Sequence, residues 1–120
     1  MSDFPRGWTL ISQTGGGGTA SVTVPAVAGV VHVLDSFTAK LVALAGGAVM
    51  AANVQLSSSD GAFTSLNLGL LQTVGALTAD EVSQSALDLA AGPGASLTVA
   101  YSLVTSTNNI EYLSIEGHDI

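Results

Sequence analysis

The sequence predicts an antiparallel β-sandwich, jelly-roll-like, with about eight strands and at most one short helical turn. Three observations predict it. Apolar residues recur with a period of two in segment after segment, Gly-, Pro- and Asn-rich turns separate those segments, and no long amphipathic helical pattern occurs. A purely parallel sheet needs crossover helices, so the strands are expected to run antiparallel in two facing layers.

Taken in chain order, Trp8 and Leu10 ahead of Thr14 give the first short alternation, which ends at the run Gly15 to Gly18. Val22 and Val24 alternate with Ser21 and Thr23 up to Pro25. Val30 to Leu44 is long enough for two strands or one bent strand. Met50, Ala52, Val54 and Leu56 form one inward row, and Leu66, Leu68 and Leu70 form another. Thr78 followed by Glu81 has capping-box spacing, which predicts the single helical turn from Thr78 to Val82. Leu87 and Leu89 flank Asp88 as a short strand. Leu97, Val99, Tyr101 and Leu103 make the clearest alternation of all. From Ile110 to Glu116 the apolar phase changes between Tyr112 and Leu113, which predicts a bulge there. The expected core is Leu10, Val22, Val24, Leu34, Val54, Leu56, Leu66, Leu68, Leu87, Leu89, Val99, Tyr101, Leu103 and Ile115.

Composition bounds what this sandwich does. The 120 residues suit one domain, read as a sandwich over 7–120 preceded by an N-terminal arm over 1–6. A hydrophobic content of 48% supports a real core, while only 9% of residues are charged, so Ser, Thr, Asn, Gln and backbone must supply most of the polar surface. Nine acidic against two basic residues give a net charge of -7, which opposes binding to nucleic acid or to an anionic membrane. The longest apolar run, Leu41 to Ala52, is shorter than the ~20 residues of a membrane span, and the first residues lack the basic and apolar regions of a secretory signal. With no Cys, disulfides, thiolate metal sites and cysteine nucleophiles are all removed.

No chemistry-bearing constellation stands out. His32 and Asp35 invite a hydrolase triad, yet no G-x-S-x-G elbow accompanies them and His32 lies in an apolar run, so no catalytic residue is assigned. Glu116 and His118 share a strand face beside Asp119, but two ligands do not complete a metal site. Asp60-Gly61 reads as a turn, the glycine run as a hairpin tip, and Asp80-Glu81 as the start of the helical turn. Neither metal nor cofactor is expected. Phe4, Pro5, Arg6 and Trp8 lie in or beside the unpatterned arm, where large apolar groups need cover from their own domain or from a neighbour. They are the candidate docking residues.

The stretches Gly29-Val30-Val31-His32-Val33-Leu34, Val54-Gln55-Leu56 with Asp60-Gly61, Leu87-Asp88-Leu89 leading through Gly92 into Leu97-Thr98-Val99-Ala100-Tyr101, and Leu113 to Ile120 together resemble small tailed-phage structural proteins of the β-sandwich head decoration, or cement, type. The resemblance spans nearly the whole chain. It implies a virion protein without enzymatic activity, located on the capsid surface, with the major capsid protein as partner and a homotrimer as the favoured assembly. The acidic balance and the run Gly15 to Gly18 are not marks of that group. A phage tail or head-fibre component, or a carbohydrate-binding or host-adhesion module, is the alternative.

Overall fold

The computed structural model describes residues 6–15, 20–46, 50–102 and 109–120. Nine strands occupy them: β1 (Arg6–Gly15), β2 (Ser21–Val24), β3 (His32–Ala43), β4 (Met50–Ser58), β5 (Leu66–Thr73), β6 (Ala79–Gln84), β7 (Leu89–Ala90), β8 (Leu97–Tyr101) and β9 (Asn109–Asp119). The described residues contain no helix. One sheet has the order β1-β9-β3-β6, with β7 also paired to β3, and the other has the order β2-β8-β4-β5. Every pairing is antiparallel. Consecutive strands from β1 to β4 alternate with late strands across the two sheets, which is the expected jelly-roll wrap.

The core fills the space between the sheets. Leu34, Phe37 and Leu41 of β3, Leu113 and Ile115 of β9, Val54 and Leu56 of β4, Leu71 of β5, and Leu97 and Val99 of β8 are nearly or fully buried. Val22, Val24, Leu68 and Tyr101 join them as the alternation predicts, while Leu10, Leu87 and Leu89 are half-buried against the core. Leu103 lies outside the described residues.

Three expectations change. The helical turn over Thr78 to Val82 is absent: Thr78 Oγ1 accepts from Val74 N and donates to the Gly75 carbonyl, closing a turn, and Ala79–Gln84 then pairs with β3. A local capping signal is thus outweighed by strand pairing. The bulge is not in β9, whose register with β1 is unbroken, but on β3, where Leu34 faces Gly117 and Ser36 faces Glu116, leaving Asp35 as the extra residue. Third, β5 carries a bulge of its own: Val54 faces Gly69 and Gln55 faces Asn67. That shift leaves Leu68 buried, turns Leu71 inward, and exposes Leu66 (40%) and Leu70 (51%). Of the two readings open for Val30 to Leu44, the chain takes the single bent strand, with the bulge at Asp35.

Strand directions define two ends of the sandwich. Arg6, His32 and Asp119 lie together at one end, and Gly15, Val42, Ala79 and Ile110 at the other.

Candidate functional site

Of the docking candidates, Phe4 and Pro5 lie outside the described residues, and Arg6 is the first residue of β1, paired with Asp119. Trp8 is half-buried, and its indole occupies the space above Gly117, where a Cβ would collide with the ring and with the Val33 carbonyl. Its Nε1 donates to Asp119 Oδ1 at 3.0 Å. Trp8 therefore ties β1 to its own sheet.

The two histidines form separate pairs. His32 is buried, with Nδ1 2.5 Å from Asp119 Oδ1 and Nε2 2.7 Å from the Pro25 carbonyl. A carbonyl only accepts, so Nε2 carries a proton, and both ring nitrogens are committed. His118 Nδ1 lies 2.6 Å from Asp35 Oδ2, because the bulge turns Asp35 toward the outer face that His118 occupies. His32 and Asp35 thus serve different partners and assemble no triad. Neither imidazole hydrogen-bonds a Ser or Thr hydroxyl among the described residues. Among those residues, too, no group of three or more His, Asp or Glu is arranged to hold a metal ion. Asp60 accepts from Ser58 Oγ, Ala62 N and Gly92 N, and these hydrogen bonds hold its carboxyl below the usual carboxylate range. It joins two loops as a turn residue.

Three further features went unread in the sequence. The first is a groove of about 310 Å³ on the outer face of the β1-β9-β3-β6 sheet. Ser36 and Thr38 of β3, Ser114 and Glu116 of β9, and Ser83 and Ser85 at the β6 edge present hydroxyls and one carboxylate to it. These are ordinary outward residues taken singly, and only cross-strand register brings them together. The arrangement supplies hydrogen bonds to a polar ligand, with no nucleophile and base in contact.

The second is polar and interior. Asn109 and Glu111 are fully buried on the inward face of β9. Glu111 Oε1 accepts from Ala20 N at 2.7 Å, which links β9 to the residue before β2 in the opposite sheet. Burial pushes the Glu111 carboxyl above its usual range. Beside it, the Tyr101 hydroxyl sits 2.9 Å from the Lys40 carbonyl and 2.7 Å from the Tyr112 carbonyl, and burial, then the Glu111 charge, pushes its phenol above the usual range.

The third is an apolar tip at the end marked by Val42 and Ala79. Val74 is 80% exposed and Leu77 77% exposed in the β5–β6 turn, and Leu44 stands next to them, since Ala43 N donates to the Thr78 carbonyl. Leu77 also has a φ of 59°, a left-handed conformation that a branched side chain disfavours.

No family model and no curated protein matches the chain. Among solved structures it is similar in shape to the Drosophila NLP core, described with pentamer formation and histone binding, at 15% identity over 93% of this chain and 97% of that one, with a TM-score of 0.43. It is similar to the CBM36-1 domain of a multidomain xylanase from the hindgut metagenome of Trinervitermes trinervoides, at 16% identity over 89% and 95%, TM-score 0.43. It is also similar to the Tobacco streak virus coat protein, at 7% identity over 92% and 85%, TM-score 0.39. Likenesses this distant assign no activity.

Proposed function

We propose that this chain is a non-enzymatic structural subunit of a tailed-phage virion, binding the outer capsid surface through contacts with the major capsid protein and stabilising the shell. The observation that carries the reading is the apolar tip. Leu44, Val74 and Leu77 leave large apolar groups in water, Leu77 holds a strained backbone as well, and a surface of this kind is what a partner protein covers. Each copy that binds the assembled shell more tightly than dispersed subunits stabilises the shell, and many copies multiply a modest contact. Phe4, Pro5, Arg6 and Trp8 remain the second candidate contact, with Trp8 already engaged by Gly117 and Asp119.

The test is electron microscopy of particles that carry the chain, together with co-sedimentation of purified chain with assembled shells. Density on the outer shell is expected, along with loss of co-sedimentation for Leu77→Gly. Density confined to tails, or shell binding unchanged by Leu77→Gly, overturns the location or the contact respectively.

A carbohydrate-binding or host-adhesion module is the second reading, favoured by the groove of hydroxyls around Ser36, Thr38 and Ser114. Glycan binding by the purified chain, abolished by filling the groove with Ser114→Phe, is its expected signature. Sugars that bind equally well to that variant count against it.

A further inference from the structure

A sandwich of two open sheets has four edges, and three of these are protected against strand addition. In β6, Asp80 and Glu81 place charge on the edge. The β5 edge is distorted by the bulge at Leu68, and β2 is four residues long and runs into Pro25. Such devices keep unpaired N–H and C=O groups from recruiting another strand.

The β1 edge has none of them. Its ten residues pair with β9 in unbroken register, contain no Pro, and carry no charged side chain after Arg6. Among the described residues, no strand pairs with its outer edge. Thr9, Ile11 and Gln13 point outward and are exposed, Ile11 by 61%.

We propose that this edge is an interface for a second copy of the chain, with two β1 strands pairing antiparallel across a two-fold axis, a two-fold assembly in place of the homotrimer that the resemblance implies. The charge distribution admits a second copy at this long, undistorted edge, and the strand is complementary to itself in register. The chain carries a net charge of -7, so two copies repel over most approaches, but from Gly7 to Gly15 neither strand presents a charge to the other. An axis through Ile11 sets Ile11 opposite Ile11 and Thr9 opposite Gln13 on the outer face, with Leu10 opposite Ser12 on the inner. A strand read backwards supplies the donors and acceptors that its copy lacks. The two β1-β9-β3-β6 paths then join into one continuous sheet. This interface is independent of the shell contact at the apolar tip, which it leaves uncovered.

Light scattering on the full chain across the micromolar range is the first measurement, and a dimer is expected. Ile11→Lys places two like charges at the axis and should shift the chain to monomer, with its far-ultraviolet circular dichroism unchanged. Since the chain has no Cys, Ile11→Cys supplies a single thiol and should give a disulfide-linked dimer on mild oxidation, whereas Val27→Cys, exposed and outside β1 in the β2–β3 connection, should not. A monomer at every concentration, a trimer, or a dimer that is indifferent to Ile11→Lys and fails to cross-link through Ile11→Cys overturns the proposal.

Discussion

Glu111 shows how one side chain sets a condition on the whole fold. Its carboxyl is buried, accepts one hydrogen bond from Ala20 N, and leaves Oε2 without a partner among the described residues. Burial raises its folded pKa above the ordinary value of 4.5, so the unfolded chain loses that proton first as pH rises. Stability from this residue is therefore complete in acid below the ordinary carboxylate range and declines as pH climbs toward the raised value. Glu111→Gln keeps an acceptor for Ala20 N and removes the ionisation. Its urea midpoint should match the parent in acid and exceed it at neutral pH, and equal midpoints at neutral pH would contradict the burial argument. The same residue explains a failure of sequence reading. Inward positions of β9 include polar Asn109 and Glu111, while outward ones include Ile110 and Tyr112, so a hydrophobic phase change appears where the strand runs straight. A pattern of apolarity cannot distinguish a buried carboxyl from an exposed one.

At the scale of elements, β1 and β9 approach closely enough that Gly117 is the contact point for the Trp8 ring. Gly117→Ala should destabilise the domain by about 1–3 kcal/mol through overpacking, read as a lowered urea midpoint. An unchanged midpoint would mean that the ring and the Val33 backbone carbonyl can both move aside at no cost. For the β5–β6 turn the expectation is opposite in sign. Leu77→Gly relieves a left-handed backbone worth about 1–2 kcal/mol and loses about 0.4–1 kcal/mol to unfolded-state entropy, so folding stability should hold while shell binding falls. Strands with an apolar inward row and a polar outward row, β2, β4 and β8, were legible from sequence because residue type and burial agree there. For β6 they do not agree: its inward-leaning positions are Asp80 and Val82, and Thr78 with Glu81 imitates a helix start. The groove escaped for a related reason. Ser36, Thr38 and Ser114 look like any solvated outward residues until register places them side by side. The pairing of Asp35 with His118 likewise depends on a bulge that no composition rule locates.

The molecule as a whole separates its contacts in space. The apolar tip of Leu44, Val74 and Leu77 lies at one end, and both Arg6 and Asp119, with the His32 pair, lie at the other. The hydroxyl groove and the β1 edge occupy the length between them. A low density of charge makes each surface dependent on shape and hydrogen bonding, and the excess of carboxylates keeps unplanned contacts weak. Docking at the tip and pairing along β1 can consequently occur in the same copy.

The register of β1 against β9 also fixes how the domain bears mechanical force. Arg6 faces Asp119 and Gly15 faces Ile110, so a pull applied to residues 6 and 119 opens the ladder from that end, one pair at a time. A load applied between residue 77 at the tip and residue 119 runs along the strands instead, and many bonds resist it together. Single-molecule stretching should thus find a low rupture force for the first geometry and a higher one for the second, with the reverse order refuting the pairing. A shell under internal pressure would strain such a subunit least if its attachments loaded it lengthwise, from tip to chain ends.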